Sequence, residues 1–159
     1  MRDIKKSLIW ITDLLKSLDI PFQIAGGLAA HAYGATRELW DIDLDIPEDK
    51  FELIKSHTQK YIIYGPEIYA DNHWHLLLMT LNHHDQLIDL GGAYNTKIFN
   101  PETKLWHELI TDFSTIIEQE ILGLTLPVIS RAELVAYKKI LSRPVDLEDI
   151  AQIEAFRAI

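Results

Sequence analysis

The sequence contains no cysteine. That excludes a disulfide framework and any thiolate metal site, and it suits a reducing compartment, so the expected location is cytoplasmic. Long apolar runs are also missing. None approaches the ~18 residues of a membrane span. Residues 1–20 are charged and amphipathic, without the uninterrupted apolar stretch of a secretory signal. Positive charge is scarce: 15 Lys and Arg stand against 24 Asp and Glu, a formal net charge of −9. Phosphate contacts dominate affinity for long nucleic acids, so this chain is a poor generic binder of duplex DNA or long RNA. A few local cations still suffice for a single nucleotide. There is no Walker loop, no Ser-His-Asp order and no zinc-protease helix. Repeats, linkers and low-complexity segments are absent too.

What is present is an ordinary globular composition, with 48% hydrophobic residues over 159 positions. It predicts one domain over 1–159, with a core at about 1–112 and a C-terminal hairpin and helices at about 113–159. Ile4, Leu8, Ile11, Leu15 and Leu18 recur at helical spacing and predict a helix over 3–18, ended by Pro21. Residues 22–25 read as a short strand running into Gly26-Gly27, with a short helix over 28–33 closed by Gly34. Asp41 to Ile46 alternates polar and apolar, the period of a strand. Pro47 opens a helix to about His57. Further strands are expected at 61–64, 74–81 and 86–90, the last two as a hairpin with a turn at 82–85. Residues 104–112 read as helical. Two β-rich stretches flank Leu122-Gly123. The Ser130-x-x-Glu133 pattern caps a helix to about Ser142, and a last helix spans 146–157. The fold class is α+β: a mixed sheet flanked by helices, with a helical C-terminal tail.

Two segments carry chemistry. Amides at the start of a helix are unpaired and can hold phosphate, and glycine lets a ligand approach the backbone. Gly26-Gly27 fits that use, and it equally fits a tight turn with no ligand. Asp41, Asp43 and Asp45 stand at alternate positions of one strand, so their side chains share a face. Hard divalent cations favour such oxygen donors. A solvated edge strand carries similar charge. Asp89 lies inside the apolar run Leu87-Ile88-Asp89-Leu90, where an unpaired carboxylate is costly to bury. Arg37, Lys138, Lys139 and Arg143 are the cations placed to complement a triphosphate, although each taken singly reads first as an ordinary surface charge.

Gly26-Gly27, then Asp41-Ile42-Asp43, then an acid on a later strand, resembles the signature of nucleotidyltransferases of the DNA polymerase beta superfamily. The segment Arg37 to Asp45 is similar to the Arg-x-His-x-Asp-Ile-Asp stretch of small lincosamide and aminoglycoside nucleotidyltransferases, with Leu39 where many of those have His. The tail from Ser130 through Lys138 to Arg143-x-x-Asp146-x-x-Asp149 resembles AbiEii-type nucleotidyltransferases. The resemblance implies the nucleotidyltransferase fold. It also implies Asp41, Asp43 and Asp89 as catalytic ligands of two Mg²⁺ ions, and Gly26, Gly27, Arg37 and Lys138 as the nucleotide-binding residues.

The expected activity is Mg²⁺-dependent transfer of a nucleoside monophosphate, AMP foremost, from ATP or another triphosphate to a hydroxyl acceptor, with release of pyrophosphate. A small-molecule acceptor is favoured. A toxin- or antitoxin-type enzyme acting on RNA or a partner protein, and a catalytically inactive nucleotide-binding module, stay open as alternatives. Small relatives often complete the acceptor pocket with a second subunit, which leaves a homodimer open. No membrane partner is expected. His73, His75, His83 and His84 fall near the 74–90 hairpin, either as a metal arrangement or, for His83-His84, as a polar loop tip. Trp40, beside the acids, is read as a stacking residue or a packing anchor.

Overall fold

The computed structural model describes residues 2–156. Nine strands form one mixed sheet among these residues. Its order is β7 (Leu105–Leu109), β6 (Thr96–Asn100), β4 (Trp74–His83), β5 (Gln86–Gly92), β2 (Asp41–Ile46), β1 (Gln23–Ala25), β9 (Leu124–Val128) and β8 (Ile117–Ile121), with β3 (Ile62–Ala70) also paired to β4. Helix α1 (Ile4–Ser17) opens with Asp3, whose carboxylate accepts the Lys6 amide at 3.0 Å. Its apolar stripe, Leu8, Ile11 and Leu15, is fully buried. Strand β1 (Gln23–Ala25) runs directly into α2 (Gly26–Ala32), so the glycine pair forms the first turn of the helix itself. Strand β2 (Asp41–Ile46) follows, then a short 3₁₀ turn and α3 (Phe51–Thr58).

The hairpin reading of the next segment holds. Strand β3 (Ile62–Ala70) pairs with β4 (Trp74–His83), and β4 pairs antiparallel with β5 (Gln86–Gly92). His84 and Asp85, both at positive φ, make the two-residue turn that matches strand twist. Strand β3 is longer than the expected 61–64. Its register shifts at Gly65-Pro66, which breaks the alternation that marks a strand.

The region around 104–112 is corrected. It holds strand β7 (Leu105–Leu109), paired antiparallel with β6 (Thr96–Asn100), not a helix. Leu105 and Leu109 satisfy helical spacing, but the half-buried positions His107 and Leu109 alternate with exposed Trp106 and Glu108. Strand β6 offers the backbone partner that a short isolated helix would lack. Strands β8 (Ile117–Ile121) and β9 (Leu124–Val128) turn at Leu122-Gly123, both at positive φ. Helix α4 (Arg131–Leu141) starts at Ser130, whose hydroxyl accepts the Glu133 amide at 3.2 Å. Helix α5 is Pro144–Ala155. It starts two residues before the expected 146, because Pro144 opens the helix instead of breaking the chain.

The two faces of the sheet are chemically distinct. Ile42, Leu44, Ile46, Met79, Leu81, Ile88 and Leu90 are fully buried in the core. His83 shares that face and belongs to the core rather than to a polar turn. Its ring stacks on Trp10 at 4.3 Å, and its Nδ1 lies 2.7 Å from the Ser7 hydroxyl of α1. The opposite face of β2, β5 and β4 carries Asp41, Asp43, Asp45, Asp89 and Thr80 and is overlooked by α4. No helix among the described residues is long and apolar enough to cross a membrane.

Removing the α4 cap tests how far that overlook depends on local structure. Ser130→Ala should cost about 1 kcal/mol and lower Tm by about 2–4 °C, read by thermal denaturation.

Candidate functional site

The site begins with strand register. Strands β2 and β5 are parallel, and Asp43 pairs with Asp89. Paired residues point to the same face, so two carboxylates from distant sequence meet across the strands. Asp41 lies two positions upstream on that face. The result is a cluster in which oxygens of Asp41, Asp43 and Asp89 all lie within 4.8 Å of one another. Thr80, opposite Asp89 on β4, donates its hydroxyl to Asp89 Oδ1 at 2.6 Å. Asp45 stands apart from the cluster. Gln23, its partner on β1, donates its amide to Asp45 Oδ2 at 2.8 Å.

Gly26 explains how the backbone tolerates this density. Its φ is +60°, and a Cβ there would lie 2.1 Å from Asp43 Oδ2. Only glycine allows both that conformation and the close approach of the carboxylate. The Gly26 amide donates to the Tyr137 hydroxyl of α4 at 2.8 Å. Gly27 serves a second neighbour: a Cβ there would lie 2.6 Å from Arg37 Nη2.

The cations are brought to the site but are not free. Arg37 forks onto Asp149, with Nε to Oδ1 at 2.8 Å and Nη2 to Oδ2 at 3.1 Å. Lys138 is almost fully buried and holds both Asp149, at 3.0 Å, and Asp146, at 3.4 Å. Arg143 forks onto Asp146 at 2.7 and 3.1 Å. Arg37, Lys138, Asp146, Asp149 and Arg143 form one continuous network. Lys139 lies outside it, on an exposed pair with Glu154. Trp40 is 64% exposed beneath the Arg2 guanidinium.

The electrostatics follow from this crowding. Burial, then the charges of Asp41, Asp89 and Asp45, holds the Asp43 carboxyl well above the usual range, and Lys138 opposes that shift. Burial raises Asp89, against the Thr80 hydrogen bond and with the charge of Asp41. Burial pushes Asp45 up to about 6, although the Gln23 amide pulls the other way. A cluster of carboxylates that resists ionisation is one that a divalent cation would relieve. Its donors are all hard oxygens, which fits Mg²⁺ or Mn²⁺ and not a softer metal. No histidine joins the metal-competent group found among the described residues.

These residues line a cleft of about 790 Å³. Gly26, Gly27, Arg37 and Lys138 line it along with the three acids, so every expected site residue reaches the same space. Tyr137, Thr80 and Gln23 were not expected. Thr80 had a signal, as the hydrogen-bonding side chain across the hairpin from Asp89. Tyr137 had none beyond its place one residue before Lys138.

No family model matches the sequence, and no curated protein matches it. Solved structures do. A candidate nucleotidyltransferase from Thermotoga maritima superposes with a TM-score of 0.71 at 20% identity, covering 97% of this chain and 94% of that one. The lincosamide antibiotic adenylyltransferase LnuA, solved with lincomycin bound, gives 0.65 at 18% identity, with coverage of 96% and 97%. ANT(2″)-Ia in complex with adenylyl-2″-tobramycin gives 0.63 at 18% identity, with coverage of 95% and 88%. The chain therefore has the fold of nucleotidyltransferases, as its motifs implied.

Two outcomes follow from the geometry. In the metal-free protein, Asp45, with Asp43 and Asp89, binds protons that the unfolded chain has already released at its ordinary value near 3.8. Their contribution to stability therefore falls as pH rises through about 4 to 6 and beyond. Mg²⁺ should raise Tm more at pH 7.5 than at pH 5.5, and calorimetry in two buffers should show proton release on binding at the lower pH. A pH-independent shift would contradict the geometry. Lys138→Met leaves Asp146 and Asp149 without their shared cation and should cost about 3 kcal/mol or more, read as a fall in the denaturation midpoint.

Proposed function

We propose that the protein transfers a nucleoside monophosphate, AMP foremost, from a triphosphate to a hydroxyl acceptor, in a reaction that depends on Mg²⁺ and releases pyrophosphate. The observation that carries this reading is the convergence of Asp41, Asp43 and Asp89 within 4.8 Å, beside a glycine turn that opens on the same cleft. Asp41, Asp43 and Asp89 would hold two Mg²⁺ ions, which when bound supply Lewis-acid neutralisation of the phosphate oxygens.

The chain's own residues supply position and proton transfer. Thr80 donates to one lone pair of Asp89 Oδ1 and fixes the plane of that carboxylate, whose remaining lone pairs would serve the metal and the acceptor. Burial makes Asp89 a stronger base than an ordinary carboxylate. It takes the acceptor's hydroxyl proton as the oxygen attacks the α-phosphorus, and the bond to pyrophosphate breaks on the far side. Gly26 and Gly27 permit close approach of the phosphates. Arg37, held by Asp149 through one edge of its guanidinium, keeps its Nη1 group for them. Lys138 and Arg143 add positive charge behind the phosphates. Most of the catalysis in this scheme is orientation and charge neutralisation.

A small-molecule acceptor suits the rest of the cleft. Trp74, Leu76 and Leu78 continue the face that bears Thr80 and line the cleft as an apolar floor. The antibiotic ligands of LnuA and ANT(2″)-Ia support an acceptor of that size. A second reading, nucleotide binding without turnover, is favoured by one observation. Arg37, Lys138 and Arg143 are all already paired with Asp146 or Asp149.

Incubation with each labelled triphosphate, Mg²⁺ and a panel of hydroxyl acceptors decides between the two. Wild type should transfer label and release pyrophosphate, with ATP preferred, and Asp41→Asn should reduce transfer to background with the fold intact. Surviving transfer in Asp41→Asn would falsify the mechanism. Binding of MgATP with no pyrophosphate release would favour the second reading.

A further inference from the structure

One buried polar group in the cleft has no part in the scheme so far. Tyr137 is 5% exposed, and its hydroxyl oxygen accepts the Gly26 amide at 2.8 Å. That bond uses a lone pair and leaves the phenolic hydrogen unspent. No acceptor among the described residues takes it. An unused donor in a buried position costs free energy unless an ordered water or a ligand completes it, and a ligand entering the cleft can take the water's place. The ring is not free to swing away. It packs edge-on to Trp74, with centroids 6.4 Å apart, and lies 5.7 Å from Lys138 Nζ. Its residue lines the same cleft as Gly26 and the carboxylate row.

The geometry points to Tyr137 as a nucleotide-positioning residue that donates its phenolic hydrogen to a phosphate oxygen of the bound triphosphate. The inference rests on the nucleotidyl-transfer reading and adds a group to its phosphate site. The Gly26 amide polarises the hydroxyl it bonds to, which makes the remaining hydrogen a better donor. Burial, with the charges of Asp45 and Asp43, keeps the phenol protonated throughout the working range. A neutral donor suits this position. A further cation would need a counter-charge, and Asp146 and Asp149 are already shared among three.

Tyr137→Phe keeps the ring and removes only the hydroxyl. Calorimetric titration with MgATP, adenosine and Mn²⁺ alone separates the roles. MgATP affinity should fall about tenfold to a hundredfold, the loss of a hydrogen bond to a charged group. Adenosine and Mn²⁺ affinities should stay within about twofold. If Tyr137 only held Gly26 in place, Mn²⁺ binding would fall as well, because Gly26 adjoins Asp43, and that outcome overturns the inference. A Tyr137→3-fluorotyrosine protein keeps the shape and strengthens the donor, so its MgATP affinity should rise. An unchanged or weaker affinity there counts against the inference even if the Phe variant folds poorly. Equal MgATP affinity in wild type and Tyr137→Phe removes this inference alone. A wild type that binds no MgATP removes the functional reading and this inference together.

Discussion

Repulsion among carboxylates is the constraint around which the rest of the molecule is arranged. Asp41, Asp43, Asp45 and Asp89 project from one face of two adjacent parallel strands. Like charges at such separations oppose folding, and burial adds to that opposition. Each neighbour can be understood as a response. Thr80 and Gln23 donate hydrogen bonds to Asp89 and Asp45. Gly26 gives up its side chain so that the Asp43 carboxylate can pass. The hydrophobic residues between the acids, Ile42, Leu44, Ile88 and Leu90, are fully buried on the other face and hold the strands in register. A one-residue slip would turn the acids into the core, so the burial that stabilises the sheet also sets the site.

The C-terminal helices answer the same constraint from the other side of the cleft. Helix α4 contributes Tyr137 and Lys138, and α5 contributes Asp146 and Asp149, which orient Arg143, Lys138 and Arg37. Burying an ammonium is costly unless its partners are close and well placed. Lys138 meets that condition with two carboxylates, and each of those is forked by an arginine. Asp149 is the joint between distant parts of the chain. Through Arg37 it ties α5 to the loop before β2, where Thr36 also bonds Gln152. The tail is thus a wall of the site as well as a cover for the core.

Much of this was legible in the residues. The alternation of Asp41 to Ile46 gave the strand and the shared face without ambiguity, because period two admits no other reading there. Asp89 stood out as a charge within an apolar run. What stayed hidden depends on pairing that a local window does not contain. The β2–β5 register that brings Asp43 opposite Asp89 spans 46 positions, and nothing near either residue encodes it. The 104–112 segment misled because its apolar spacing fits both periods, and only the presence of β6 decides between them. His83 looked like a loop residue from its polar neighbours, yet Trp10 and Ser7 of α1 make it part of the core. The ion network was visible as charges but not as partners. Lys138 and Arg37 were expected to face a ligand directly, and the acids that hold them lie 8 and 112 positions away.

The charge balance of the cleft bears on what can enter it. Arg37, Lys138 and Arg143 are offset by Asp146 and Asp149, which leaves one positive charge against four carboxylates on the sheet. A free triphosphate would bring several more negative charges into that field. At close range in a partly buried site such repulsion is strong. In the proposed function the residues would therefore discriminate against an unneutralised nucleotide by their own charge, before any contact with base or sugar. A divalent cation would reverse the sign of that discrimination. Held by the acids, it would offset their charge, and the single excess positive charge of the network would then have a phosphate to meet. In the proposed scheme the acids would select the metal–nucleotide complex, and the paired cations and the Tyr137 hydroxyl would orient it once it had arrived.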